Sequence, residues 1–591
     1  MGEELGRSVL FRDSYARTWA LGDRKNPSCH TPILMQLIND IEIDQTYSPF
    51  ICKVDNEIPA KMEVNSKMPL SPPNFSQLSP NWKASLGHVL PPSLDEADAG
   101  ESADCGYLLP VSWQRLRHDS SLTDKSLNPA IVVLTDAVQL ASQQGKLVKA
   151  IHTLKRRFPA SLLWTPGLGG PDNAAVLTWL GVDIFDLTRS RQCSSRGFYL
   201  SSNGPRKCSD STDFAAVMGR QLDYWYEILS EIKSRISQGT LRNLAEMQSL
   251  NSPKLVEHLR FHDKLCRSDN DVITSHVPAD RVLQCNSHDS LNNPIITHWV
   301  DYIEQNYRPP NGLDKVMILL PCSARKPYRM SKTHKKFLQA INHTGFHELM
   351  VTSPLGLVPR DLEEVWPASH YDIPVTGSWS ADEVNRTESM VKTLIDKFSY
   401  QYVINHSTMK FELNGVEIID TRGDLGATSS EALTNLSNAI EKLVEKLNSR
   451  NRKHHSILMD NFRSISRLKM EKDEWLKDIK IRGKPPYWKL EKDGKQIALW
   501  SNERRGFSLS KSSVKLIHDS NSLKKITLKS GVSWKGDIFY NIIEEFDSAI
   551  KSGDDLLVIQ DEQPIGLARA VASGWEWNKL PGMLAKCHQR I

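Results

Sequence analysis

The stretch Pro321-Cys-Ser-Ala-Arg-Lys-Pro-Tyr-Arg-Met-Ser-Lys-Thr-His334 gathers a thiol, several cations, a phenol and an imidazole directly behind the apolar run Val316-Met-Ile-Leu-Leu320. Five consecutive apolar residues read as a buried strand, Lys326-Pro327 as a turn, and Ser331 as the N-cap of a helix running through His334, Phe337 and Leu338. Cys322 is therefore expected at the carboxyl end of a strand, facing a helix start. Backbone N–H groups there, with Arg325 and Lys326 nearby, favour the thiolate over the thiol, and the thiolate is the nucleophile. His334, one turn into the helix, is placed to relay protons. The predicted catalytic set is Cys322, Lys326, Tyr328, Ser331 and His334, with Pro321 and Arg325 beside it as substrate contacts. From spacing alone each has an ordinary alternative: Cys322 an inert apolar filler, Tyr328 half-buried, Ser331 only a cap, Lys326 solvated, and His334 one more residue of a basic helix face with Lys335 and Lys336.

The elements that would carry this segment belong to a long α/β chain. At 591 residues it exceeds a single core and divides into several domains. From Ala130 the pattern alternates: strand Ile131 to Leu134, helix to Phe158, strand Leu162 to Trp164, helix from Asp172 to Leu180, strand Val182 to Phe185. That rhythm is βα repetition, and in a barrel of this kind functional residues gather at strand carboxyl ends. Residues 55 to 128, rich in Ser, Pro and Asn, are expected to be strands and irregular loops, and residues 219 to 267 read as helical throughout. A polar stretch from Arg267 to Asp271 marks the expected boundary. Beyond it, strand 316 to 320, helix 332 to 342, strand 347 to 351, helix 380 to 399, strand 402 to 404 and helix 429 to 447 predict an open parallel sheet, which places ligands at strand ends.

Composition adds constraints. With 39% hydrophobic residues the chain is globular, and no apolar run approaches the roughly eighteen residues a membrane span needs. The opening Met-Gly-Glu-Glu-Leu-Gly lacks the basic and apolar regions of a secretion signal, and nine cysteines without a Cys-x2-Cys pair fit reduced thiols, so a cytoplasmic protein is expected. The net charge of +4 conceals a basic block: residues 451 to 535 hold 21 Lys plus Arg against 9 Asp plus Glu. Interleaved with Phe462, Trp475, Tyr487, Trp488, Trp500 and Phe507, this block has the composition of a surface that tracks phosphates, or of a solvated lysine-rich face.

The string Pro-Cys-x3-Lys-Pro-Tyr-x2-Ser-x2-His, filled at every defined position from Pro321 to His334, resembles the archaeosine synthase family, relatives of the tRNA-guanine transglycosylases. Val351-Thr-Ser-Pro-Leu-Gly-Leu-Val-Pro-Arg-Asp-Leu-Glu363 and His370-Tyr-Asp-Ile-Pro-Val-Thr-Gly377 resemble it too, and Asp372 in the latter is carried as a substrate-side residue. Trp164 to Asn173 and Leu180-Gly-Val-Asp-Ile-Phe-Asp-Leu187 resemble the transglycosylase barrel, with Asp186 where that family holds its nucleophile. The Asp-Ser-Gly-Gly-Phe loop that holds a base is absent, and of the Cys-x-Cys-x2-Cys zinc ligands this region offers only Cys193 and Cys208. Asp186 is accordingly expected to be structural, and no metal or cofactor is expected. Ile550-Lys-Ser-Gly-Asp-Asp-Leu-Leu-Val-Ile559, Pro564 to Ala570 and Gly582 to Lys586 resemble a PUA domain, a small RNA-binding β-barrel.

The resemblance implies a TIM-barrel-like transglycosylase-type domain over 1–270, an open-sheet α/β domain with the motif over 271–450, a small basic α+β module over 451–510 and a PUA barrel over 511–591. Arg504, Arg505, Lys551, Gly553 and Arg569 are the candidate RNA contacts. It further implies conversion of 7-cyano-7-deazaguanine in the D-loop of tRNA to an amidine, with Cys322 attacking the nitrile and Lys326 or Tyr328 supplying a proton. The amine comes from an amino acid, either lysine, where a radical SAM partner enzyme completes the conversion, or glutamine; the residues leave that choice open. Base exchange through Asp186, as a tRNA-guanine transglycosylase, and a non-catalytic tRNA-positioning role are the alternatives.

Overall fold

The computed structural model describes residues 6–591 apart from 24, 38–40, 54–60, 65–107, 125, 209–212, 270–272, 276, 278–279, 375–377 and 502. Most of the irregular stretch expected over 55 to 128, and the expected boundary at Asn270 and Asp271, fall outside the described residues.

Seven strands of the N-terminal unit lie in the order Lys61–Val64, Phe50–Lys53, Ile33–Leu37, Ile184–Asp186, Leu162–Trp164, Ile131–Leu134, Leu108–Val111. All neighbours run parallel except the hairpin of the first two. This is chain order read round a ring, with the early strand Ile33–Leu37 beside the late strand Ile184–Asp186, as in a barrel wall. Side chains alternate across the wall with period two. Ile33, Met35, Ile131, Val133, Leu162, Trp164 and Ile184 pack to one side. Leu34, Val132, Leu134, Leu163 and Phe185 pack to the other, against the helices Lys146–Arg157 and Phe214–Gln238. The helix expected up to Phe158 is two, Ala137–Ser142 and Lys146–Arg157, because Gly145 between them takes a left-handed φ of 66°. The helical tract beyond is likewise three helices, Phe214–Gln238, Leu241–Ser249 and Pro253–Ser268, the first ended by Gly239 in the left-handed region.

The second unit is an open sheet that holds the three expected strands and two the sequence reading did not contain, Gly356–Pro359 and Glu417–Asp420, in the order Gly356–Pro359, His347–Thr352, Val316–Pro321, Tyr402–Asn405, Glu417–Asp420. Only Gly356–Pro359 is antiparallel to its neighbour. Val316, Ile318 and Leu320 face the helices Lys332–Ile341 and Ser430–Leu447. Met317 and Leu319 face Pro294–Gln305 and Ala381–Lys397 on the opposite side. Helices thus cover both faces, which explains why the strand reads as unbroken apolar sequence. The chain leaves the central strand Val316–Pro321 for a neighbour on one side and later returns to the other, which makes the strand's carboxyl end the switch point of the sheet.

The basic module has the helix His454–Met470 and a four-stranded antiparallel sheet spanning Lys480 to Leu509. Its aromatics are mostly core: Phe462, Trp475, Trp500 and Phe507 are buried and in mutual ring contact, so their interleaving with lysines reflects folding rather than base stacking. Tyr487, 76% exposed, stands out on the surface beside Arg482, Lys484 and Lys489. The last unit is a six-stranded sheet, ordered Ile538–Phe539, Met583–Arg590, Gln563–Ala570, Asp555–Gln560, Lys524–Leu528, Ile543–Phe546. Its two edge strands are joined by only Tyr540–Ile542, so the sheet curls enough to bring its two edges close together. Its core is continuous with that of the N-terminal unit: Ile526, Ile550, Leu556 and Trp577 belong to the cluster that includes Trp19, Leu21 and Ile33. Buried Glu576 anchors the seam, accepting from Arg12 Nε at 2.8 Å and lying 3.4 Å from Arg17. Among the described residues no helix is long and apolar enough to cross a membrane.

Candidate active site

Cys322 follows the central strand at its carboxyl end, half-buried, on the wall of a cavity of about 410 Å³. Pro321, Val351, Ser353, Ser407 and Arg422 line it from the ends of neighbouring strands, and Leu291, Ile373 and Trp379 supply an apolar wall. The size suits a flat heteroaromatic group with a small co-substrate.

Around the thiol runs a chain of hydroxyls. Cys322 hydrogen-bonds the Thr352 side chain; Thr352 Oγ1 bonds the Tyr371 hydroxyl, and the Tyr371 hydroxyl bonds that of Tyr328. Tyr328 is fully buried and burial pushes its phenol above the ordinary range, as it does for Tyr371. Lys326 Nζ sits 3.8 Å from the centroid of the Tyr371 ring, a cation–π contact. Burial pulls the lysine below its ordinary value, opposed by the charges of Cys322, Asp372 and Cys285.

The thiol itself differs from expectation. Burial raises the Cys322 pKa, and the Thr352 hydrogen bond and Lys326 only partly oppose this. Arg325 contributes nothing, being exposed and turned to solvent. The resting group is a thiol that needs deprotonation on the way to attack, not a standing thiolate. Iodoacetamide alkylation of Cys322 is therefore expected to rise with pH through a midpoint above the ordinary thiol value, and Lys326→Met to move it higher still by removing a favourable charge. A midpoint below the ordinary value, read from a pH series of alkylation rates, would reverse this account.

His334 is not brought to the cavity. It is 0% exposed behind the strand, its ring 5.1 Å from Tyr328 and 5.2 Å from Phe337. Nδ1 accepts from Arg360 at 3.2 Å while Nε2, toward the Pro321 carbonyl, makes no hydrogen bond of ordinary geometry. Burial and the Arg360 charge pull its pKa to about 3, so it stays neutral and is a poor proton acceptor. Ser331 is the predicted cap: its Oγ accepts from His334 N–H at 3.0 Å. Behind the loop, Glu363 takes Arg329 Nε at 2.7 Å and Arg360 at 3.0 Å, and Arg360 also pairs with Glu348 at 2.7 Å. The segment Val358-Pro-Arg-Asp-Leu-Glu363 thus supplies a buttress for the motif.

Asp372 is exposed and acts on Lys326 only through its charge. Asp186 lies far from this cavity in the barrel unit, buried, accepting from Trp164 Nε1 at 3.2 Å, Gly167 N at 2.8 Å and Thr188 N at 2.9 Å. Such a carboxylate braces its loop. Of the candidate RNA contacts, Arg504 and Arg569 share Asp555, at 3.1 Å each. Gly553 is in a tight turn at φ 87°. Lys551 lies 3.5 Å from His298, and Arg505 is half-buried. Arg504, Arg569 and Lys551 thus pair within or between units, while Arg482, Lys484 and Lys489 around Tyr487 are exposed. Among the described residues no three His, Cys, Asp or Glu side chains cluster as a metal site requires. Thr352, Tyr371 and Arg422 were missed by spacing. Thr352 and Tyr371 stand in the second motif segment, which was the signal for them.

An α/β unit with a cysteine at its switch point is the class this geometry defines, and a family described as a domain of unknown function (DUF5591) matches residues 296–447, which span it. Over most of its length the chain is similar to archaeosine synthases. It is 27% identical to archaeosine synthase subunit alpha of Methanosarcina acetivorans over 76% of this chain and 77% of the relative. With the archaeosine synthase of Methanocaldococcus jannaschii it shares 28% identity, again over 76% and 77%. A tRNA-guanine(15) transglycosylase of Methanococcus maripaludis is 22% identical over 42% of this chain and 41% of that protein.

Proposed function

We propose that this chain modifies tRNA in the formation of archaeosine, adding an amino-acid amine to the nitrile of 7-cyano-7-deazaguanine at position 15 in the D-loop. The cavity carries the reading: Cys322, the hydroxyl-bearing Ser353 and Ser407 and the cation Arg422 line it opposite the apolar Leu291, Ile373 and Trp379, which supports a site that takes the base, with Lys326 and the tyrosine hydroxyls beside the thiol. In the first step sulfur bonds to the nitrile carbon, and the thiol proton is replaced by one delivered to the nitrile nitrogen, giving a thioimidate. Lys326, depressed by burial and adjacent to the thiol, is the group suited to exchange that proton. The Tyr371 and Tyr328 hydroxyls hold Thr352, and through it the thiol, in place. The amine then adds to the same carbon, the C–S bond breaks, sulfur is reprotonated and an amidine remains. No electrons change hands and no phosphate activation is needed. Lysine or glutamine serves as donor, and a radical SAM enzyme would act after lysine addition.

Intact mass of the full chain after exposure to cyano-modified tRNA or the free nitrile base is the test. The expected result is one adduct, of the base mass with the free nitrile and of the modified nucleotide after nuclease digestion with the tRNA, mapping to the peptide that holds Cys322. An unmodified chain together with release of the cyano base from the tRNA as guanine enters in its place would favour base exchange, and bound tRNA with no adduct would favour a positioning subunit.

A further inference from the structure

Resting on that reading, we infer that Arg422 anchors the α-carboxylate of the amine donor. Arg422 follows the edge strand Glu417–Asp420 and lines the same cavity as Cys322. It is fixed at both ends of the residue. Its backbone N–H donates to Asp420 Oδ1 at 2.9 Å, as does that of Gly423, and its Nε donates to the Leu425 carbonyl at 2.8 Å. Among the described residues no carboxylate lies within ion-pair range of its guanidinium, and both terminal nitrogens are unclaimed. A planar fork held by one nitrogen, with its other edge open, fits a carboxylate through two parallel hydrogen bonds.

The charges around it select an amino acid over a nucleic-acid phosphate. Glu383 lines the same cavity and is kept anionic by hydrogen bonds from the Ser353 hydroxyl and, at 2.7 Å, the Ser380 N–H. A phosphodiester would meet that carboxylate as a like charge. A zwitterion satisfies both signs, with its carboxylate at Arg422. His288, the other basic side chain on the wall, already faces Asp382 at 3.2 Å near the rim.

Lysine and 1,5-diaminopentane, which is lysine without its carboxylate, separate this role from others. Full-length wild type, Arg422→Ala and Arg422→Lys are assayed with cyano-modified tRNA for kcat/KM toward each amine, with glutamine in parallel. The preference of wild type for lysine over 1,5-diaminopentane is expected to fall about tenfold or more in Arg422→Ala, through KM for lysine, with partial recovery in Arg422→Lys. A loss that is equal for both amines, or that appears as weaker tRNA binding, overturns the inference in favour of a structural or phosphate role. Wild type that incorporates lysine while Arg422→Ala keeps the same preference overturns the inference alone. Wild type that incorporates none of these amines overturns the underlying reading as well.

Discussion

Cys322→Ala is expected to abolish amine incorporation into cyano-modified tRNA, by about a thousandfold or more, and Cys322→Ser to do nearly the same. The carbon of a nitrile is a modest electrophile, and a neutral hydroxyl at neutral pH is a far weaker nucleophile than a thiol that can be ionised. Both variants should fold. The residue is half-buried on a cavity wall and makes one side-chain hydrogen bond, to Thr352, so truncation exchanges a small apolar contact for cavity space already present. Melting temperature and tRNA affinity close to wild type, with turnover lost, is the expected pattern. Full activity in either variant would remove sulfur from the mechanism.

Acidification is expected to destabilise the fold steeply before the carboxylates titrate. His262, His334 and His347 are each 1% exposed or less, and burial pulls each to about 3. In the unfolded chain they take up protons near the ordinary value of 6.5, so between about pH 6.5 and 3 the unfolded state binds more protons than the folded one. Stability is then complete above the unfolded value and falls as pH drops, by roughly 1 kcal/mol per pH unit for each imidazole. Asp13 and Asp361, pushed up by burial, act in the opposite sense and blunt the slope. Denaturant midpoints measured from pH 7 to pH 4 check the sign, and a flat profile would show that these imidazoles accept protons in place. For His347, hydrogen-bonded on both nitrogens to Tyr307 and Tyr400, a His347→Gln variant should flatten part of the slope.

The open-sheet unit was largely legible. Its strands are buried on both faces, and its helices carry sharp starts, Ser331, Ser380 and Ser429 each accepting from a backbone N–H three residues on, so elements emerged within one to three residues of expectation. Barrel order was legible only as rhythm, since pairing of Ile184 with Ile33 is a long-range fact that no local pattern contains. Within the candidate site, Cys322, Lys326 and Tyr328 could be grouped beforehand because they are close in sequence. Tyr371 and Arg422 come from other strand ends, and their proximity is a product of sheet topology. The protonation states were misjudged for one reason: sequence displays neighbouring charge but not depth, and burial outweighs Lys326 at Cys322 and makes His334 a packing residue. The aromatics of the basic module erred likewise, since lysines next in sequence to Trp475 and Trp500 say nothing of which side of the sheet each occupies.

The apolar seam joining Trp19, Leu21 and Ile33 to Ile526, Leu556 and Trp577 has a consequence for biosynthesis. At ordinary elongation rates the earliest strands leave the ribosome on the order of tens of seconds before the segment that covers them. Their greasy edge has to wait, uncovered, until that segment emerges. A premature stop anywhere before the final unit should therefore yield aggregate and degradation fragments in place of a shortened working enzyme.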